Sequence, residues 1–306
     1  MNQYELELTI LTTTYNRAKY LKRLYESLRC QKDKEFQWLI IDDGSTDDTR
    51  AVVDTFHTDG FEIEYHRKPN GGKHTAINYA HQYIKGRYTC IVDDDDYLLP
   101  FAVTEIIAEI NKYRNWVNIK CFVFLIGNQN YEKPVLKRLP KGGVISNHLR
   151  FMENEGRRAD CCEVVCTDVL KQYPFPEFEG ERFMGEGYIW NKMSFKYDTL
   201  FIDKIIYVCE YLKDGLTSQG RALRIKSPRG GMEISKTIYE RNDRGLKPTF
   251  KVRLKYSLLY VCYSKFAHQD KKTMKRNFPN QSDIRKVYLF GVLLFHIWKI
   301  LYRKEI

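Results

Sequence analysis

The sequence predicts an α/β fold, a mostly parallel central sheet flanked by helices, with a basic helical extension at its C-terminal end. Three observations carry this. Within the first 100 residues, four short runs rich in Ile, Leu, Val and Thr alternate with segments of helical period. Such repetition builds parallel sheets with helices on both faces. Three of the runs end in polar or acidic clusters, and ligands of these sheets bind beyond the carboxyl ends of the strands. The charge is also lopsided: residues 221–306 hold 21 Lys/Arg against 6 Asp/Glu, leaving 29 against 33 in the first 220.

Leu6 to Thr13 (LELTILTT) reads as a buried strand that stops at Thr14-Tyr15-Asn16-Arg17. Leu21, Leu24, Tyr25 and Leu28 follow at helical spacing. Phe36 to Ile41 is a second apolar run, closed by the acid-rich turn of residues 42–48. Ser45 and Asp47 there are N-cap types for a helix that should bury Val52, Val53 and Phe56. Phe61 to His66 alternates as a third strand, residues 69–73 (PNGGK) are a turn, and Ala76, Ile77, Ala80 and Ile84 mark a helix. The fourth strand, Tyr88 to Val92, runs into Asp93-Asp94-Asp95-Asp96. Further on, Cys121 to Ile126 reads as a strand, Thr167 to Gln172 as a short helix, and Gly185-Glu186-Gly187 as the start of another. Thr199 to Tyr211 reads as a long strand or a strand pair.

Four adjacent carboxylates repel one another, and no core buries them unpaired. Two readings are open for them. They can form a solvated turn that caps a helix starting near Pro100, or alternate carboxylates can hold a hard divalent cation, Mn2+ or Mg2+. Other chemistries are disfavoured. The eight cysteines show no paired metal-ligand spacing and read as reduced thiols. No nucleophile elbow, Walker loop or dinucleotide fingerprint is present. The tail cations are not interleaved with base-stacking aromatics, so no nucleic-acid partner is expected. The N-terminal MNQYELELTI lacks a basic flank and a long apolar run, so a cytoplasmic protein is expected. Val287 to Tyr302 is apolar but interrupted by His296 and Lys299, and is flanked by Arg285-Lys286 and Arg303-Lys304. It is short for a span and suits an interfacial segment over residues 285–304 on an anionic membrane surface; packing on the catalytic domain is the alternative.

LTILTTTYNRAKYLKRLYESL, WLIIDDGSTDDT, NGGKHTAIN and YTCIVDDDDYLLP, in that order, resemble the opening of a family 2 glycosyltransferase with the Rossmann-like GT-A fold. The resemblance covers about the first 110 residues and continues more weakly through GEGYIWNKM and EYLKDGLT, as in bacterial surface-polysaccharide transferases. It implies a catalytic domain over residues 1–220, with a nucleotide-sugar half to about 110 and an acceptor half from 111, followed by the extension of 221–306. It also implies inverting, metal-dependent transfer from a nucleotide-sugar donor, UDP-linked by family habit, to a glycan or lipid-linked acceptor at the inner face of the cell membrane.

Residue by residue, the resemblance sets Thr13 and Tyr15 beside the nucleobase and gives Asp43 the uracil imide, with Asp42 in reserve. Lys73 would reach the base or the diphosphate. Asp95 would contact the metal and Asp93 the ribose or the metal. Asp94 would add field beside the donor, and Asp96 would orient a sugar hydroxyl or cap a helix. Glu186 would be the general base, with Glu181 in reserve, although Gly187 stands where the family often carries a second acid. Trp190 would stack on an acceptor sugar or belong to the core. Two rivals stay open: a nucleotidyltransferase on a related α/β fold, and a non-catalytic scaffold that keeps the fold.

Overall fold

Residues 4–128, 139–157, 160–209, 216–240 and 244–304 are described in the computed structural model. Two units emerge: Met1–Asn147 with Arg157–Pro174 and Tyr197–Glu210, and His148–Gly156 with Phe175–Lys196 and Tyr211–Ile306.

The first unit holds one nine-stranded sheet. Its strands are β1 (Leu6–Thr14), β2 (Phe36–Asp42), β3 (Glu62–Arg67), β4 (Gly86–Ile91), β5 (Tyr97–Leu98), β6 (Ile119–Gly127), β7 (Val144–Ser146), β8 (Cys161–Cys166) and β9 (Asp198–Val208). The order is β3-β2-β1-β4-β8-β6-β9-β5, with β7 beside β9. The β3-β2-β1-β4 half is parallel throughout. β6 and β9 are also parallel, whereas β8, β7 and β5 run antiparallel to their neighbours. All seven residues of β2 are buried, as a central strand covered on both faces requires. Trp38 of β2 is fully buried and its indole N–H donates to Thr12 Oγ1 at 3.1 Å.

Helix α1 (Ala18–Arg29) buries Leu21, Leu24, Tyr25 and Leu28, the predicted stripe. The helix after β2 is short, α2 (Thr49–Val53), and its capping differs from expectation. Asp47 Oδ1 accepts from the Thr49 N–H at 3.1 Å, but the Ser45 hydroxyl instead accepts from the N–H of Asn16 at 2.9 Å. α3 (Lys73–Ala80), α4 (Ala102–Lys112) and α5 (Thr167–Gln172) complete this unit. Strand β8 was not foreseen. Its sequence, CCEVVC, is short and bounded by no turn signal, and it gains its place only by pairing with β4 and β6, far away in the chain.

The second unit is helical: a π-helix at Leu149–Asn154, then α6 (Gly187–Ser194), α7 (Leu216–Lys226), α8 (Pro228–Thr237), α9 (Phe250–Phe266), α10 (Lys271–Asn277) and α11 (Gln281–Leu301). Tyr260, Val261 and Cys262 of α9 share a core with Ile284, Val287 and Trp298 of α11. The helices meet closely, because a Cβ at Gly291 would lie 2.6 Å from that of Val261. A second cluster joins Leu149 and Phe195 to Ile238, Val252 and Tyr256. Segments 148–156 and 175–196 accordingly group with the C-terminal helices in the second unit. Of the motif EYLKDGLT, residues 210–215 lie outside the described residues.

Candidate active site

β1, β2 and β4 end together. Thr14 is in register with Asp42 and Leu11 with Ile91, so the segments after the three strands meet at one edge of the sheet. The Asp43 N–H donates to Thr14 O at 2.9 Å and the Val92 N–H to Leu11 O at 2.9 Å. Asn16, in the left-handed region at φ 54°, ties the first two loops together. Its Oδ1 accepts from the N–H of Thr46 at 2.7 Å. Tyr15 is 44% exposed beside it, which leaves a ring face open, and Thr13 is half-buried.

Asp42 is turned inward, its Oδ1 accepting from the Ser45 N–H at 2.7 Å and its Oδ2 from the Tyr65 hydroxyl at 2.6 Å. Asp43 is buried and accepts from Gly71 N–H (3.0 Å), Gly72 N–H (2.6 Å) and Lys68 Nζ (2.7 Å). It therefore moulds the loop of residues 69–72. About one of a carboxylate's four acceptor directions is left for a ligand. Gly44 is required here: at φ +86° an added Cβ would lie 2.8 Å from Asn70 N.

The four acids are sorted by their surroundings. Asp94 is buried, and burial pushes its carboxyl up to about 7, with neighbouring Asp95 and Asp93 adding to this against the pull of Arg17. Asp93 pairs with Lys73, and Asp95 with Arg17, which also reaches Asp94 Oδ1 at 3.4 Å. Arg23 donates to the Asp95 carbonyl. Asp96 is buried and does not cap α4, whose N-terminus has no side-chain cap; its Oδ2 accepts from the Tyr207 hydroxyl at 2.7 Å. That hydroxyl in turn accepts from the Asp93 N–H at 3.1 Å. Carboxylate oxygens of Asp93, Asp95 and Asp96 lie within 4.8 Å of one another. Three hard oxygen donors so grouped fit Mn2+ or Mg2+.

The remaining expected residues belong to the second unit. Glu186 precedes α6, and its side chain makes no capping hydrogen bond to that helix. Glu181 is otherwise engaged: Oε1 accepts from the Arg229 N–H (2.9 Å) and Nε (3.0 Å), and Oε2 from the Gly230 N–H (3.0 Å). It holds the start of α8 and is a poor reserve base. Trp190 is 5% exposed, so it is a packing residue rather than an acceptor platform. A Cβ at Gly187 would meet nothing within 4 Å, so space does not exclude the missing acid.

Arg17, Arg23, Lys68 and Tyr207 were not singled out from sequence. Arg17 and Arg23 carry a weak signal, two cations just past the first strand. Tyr207 carries none, since it lies 111 residues from the acid it holds.

Residues 9–173 match Glycosyl transferase family 2. The chain is 29% identical over 132 residues to the GalNAc(5)-diNAcBac-PP-undecaprenol beta-1,3-glucosyltransferase of Campylobacter jejuni, covering 41% of each protein. It is 35% identical over 145 residues to the chondroitin synthase of Pasteurella multocida, covering 47% of this chain and 14% of that one. The chain thus spans less than half the length of these curated relatives. Among solved structures, S. aureus TarS in complex with UDP-GlcNAc superposes with a TM-score of 0.65 at 16% identity, covering 95% of this chain and 80% of that one. The mannosyltransferase PcManGT of Pyrobaculum calidifontis, with GDP-Man and Mn2+, gives 0.58 at 16%, covering 99% and 85%. At that identity the likeness speaks for the fold.

Proposed function

This chain belongs to Glycosyl transferase family 2, a nucleotide-sugar-dependent glycosyltransferase, and from that premise we propose that it is an inverting, metal-dependent enzyme using a UDP-sugar. The acceptor is a glycan or a lipid-linked glycan in cell-surface polysaccharide assembly, met at the cytoplasmic face of the membrane. The observation that carries the reading is the meeting of Asp43, Lys73, Asp93 and Asp95 at one sheet edge. The UDP-GlcNAc bound by TarS and the undecaprenol named for the Campylobacter relative support donor and acceptor class.

In this reading the base lies against Tyr15 and its imide N–H donates to the Asp43 carboxylate. Lys73 and Arg17 neutralise the diphosphate. Asp93, Asp95 and Asp96 would hold Mn2+ or Mg2+, whose chemistry there is Lewis-acid stabilisation of charge on the departing UDP. Tyr207 fixes Asp96 and the Asp93 backbone so that these oxygens keep their spacing. The base role falls to Glu186 by the family resemblance alone: it would take the acceptor hydroxyl's proton as that oxygen bonds to the anomeric carbon and the bond to the diphosphate oxygen breaks, inverting the centre.

The test is Mn2+-dependent UDP release across a panel of donors with crude lipid-linked acceptor. Asp95→Asn should abolish release while the circular dichroism spectrum is kept. In a parallel assay with UTP and a sugar 1-phosphate, pyrophosphate release would instead point to nucleotidyl transfer, and no UDP release with any donor would overturn the reading.

A further inference from the structure

α11 has two faces that do different work. Ile284, Val287, Gly291 and Trp298 face the core of the second unit. Leu289, Phe290, Leu293, Ile297, Ile300 and Leu301 are exposed, Leu289 by 79% and Ile300 by 68%. At ~100° per residue these six fall within an arc of about 120°, so they form one continuous stripe. Cations stand at both ends of it, Arg285 and Lys286 before and Arg303 and Lys304 after, with Lys299 to one side, all exposed. Exposed Phe250 of α9 lies under Lys286, 5.7 Å from its Nζ, and extends the apolar surface. The only acid of the helix, Asp283, is buried.

We infer that this outward stripe is a lipid-binding surface that lies flat on an anionic bilayer. The inference deepens the acceptor side of the proposed function and rests on it for the lipid-linked acceptor, though not for membrane binding itself. A surface helix with an apolar stripe and cationic ends is suited to the boundary between headgroups and acyl chains. It lies in the plane rather than crossing: its other face is locked into its own unit by the close contact of Gly291 with Val261. Among the described residues, moreover, no helix is long and apolar enough to span. A second copy of the chain is a worse occupant. Parallel or antiparallel, pairing two such stripes sets cations on cations, and among the described residues the one acid near them, Asp283, is buried and already 3.7 Å from Lys286 Nζ of its own helix. Headgroup phosphates supply the missing negative charge, and acyl chains cover the six side chains.

The experiment is flotation of the full chain with phosphatidylcholine vesicles, with and without phosphatidylglycerol. Binding is expected only with the anionic lipid, falling as salt rises. The triple variant Leu289→Ser, Leu293→Ser, Ile297→Ser changes exposed positions only and should keep the circular dichroism spectrum. Its vesicle-bound fraction should drop at least about tenfold. Lys286→Gln with Arg303→Gln should bind more weakly and respond less to salt. The inference is overturned if the wild type ignores anionic vesicles, or if the triple variant floats as well as the wild type. It is equally overturned if light scattering finds a lipid-free dimer that the triple variant converts to monomer. UDP release without vesicles separates the two readings. Release without vesicle binding sinks only the surface; binding without release leaves the surface standing and sinks the proposed reaction.

Discussion

Tyr207→Phe keeps the ring and removes one hydroxyl from beneath the acid run. In the wild type that hydroxyl donates to Asp96 Oδ2 at 2.7 Å and accepts from the Asp93 N–H at 3.1 Å. Tyr207 is 3% exposed, so no bulk water stands ready to replace it. Burial first, and then the charges of Asp96 and Asp93, raise its pKa well above the usual tyrosine value, so it stays a donor at any ordinary assay pH. A hydrogen bond to a charged group contributes about 1.5–3 kcal/mol, and a stranded buried N–H costs about 1–3 kcal/mol. The two are not fully additive, and the expected loss in unfolding free energy is about 2–4 kcal/mol. Partners that orient ligating carboxylates typically hold about 10- to 100-fold in metal affinity, and a rise of that size in the Mn2+ concentration for half-maximal binding is expected. Urea denaturation and Mn2+ titration in the presence of UDP measure the two effects. A variant within about 0.5 kcal/mol of wild type and with unchanged Mn2+ dependence would refute the role given to Tyr207.

Glu186→Gln should lower transfer by about 10²- to 10⁴-fold while UDP-sugar binding, followed by calorimetry, persists; normal turnover would put the base elsewhere. Gly44→Ala must hold φ near +86° with its Cβ against Asn70 N, 2.8 Å away. It should cost about 1–3 kcal/mol and weaken UDP binding through the loop that Asp43 moulds, and an unchanged Kd with unchanged stability would contradict this. His81 is held down to about 4 by burial and, secondarily, by Lys171. Because the unfolded chain binds the proton more readily, stability is full above the unfolded value near 6.5 and falls as pH drops toward 4. About 1–2 kcal/mol should be lost by about pH 5, and His81→Gln should flatten that slope in urea titrations at the two pH values.

What was legible in the sequence follows the range of the forces involved. β1, β2 and α1 were readable because burial on both strand faces and along one helical stripe repeats locally, as in FQWLIID and in Leu21, Leu24, Tyr25 and Leu28. The acid run was visible as a feature because four like charges have no place in a core. β8 was not legible, since its order comes from β4 and β6 rather than from its own pattern. The same holds for Glu181. As a lone acid near a loop it could be a base or a cap, and only the start of α8, 48 residues on, decides that it binds Arg229. Trp190 fails similarly, because an aromatic at helical spacing does not say which way its ring turns.

How four consecutive carboxylates coexist at one strand end is answered by their unequal settings. Asp94 is turned inward, where burial moves its carboxyl up to about 7 and relieves the crowding of charge near neutrality. Asp96 is also buried but has Tyr207 as a donor, so its charge is solvated by the protein rather than by water. Asp93 and Asp95, the alternate pair, face Lys73 and Arg17. A cap would need only one exposed carboxylate at the first turn of α4, and none of the four acts as a side-chain cap there. The four settings thus divide the run: one residue carries the burden of repulsion, one is fixed by a distant strand, and two stand beside cations that anionic phosphate oxygens would also attract. Asp94→Asn should be tolerated far better than Asp95→Asn in UDP release, because only the latter removes an oxygen from the group that fits a metal. Equal loss in both would show that the four acids act as one undivided charge.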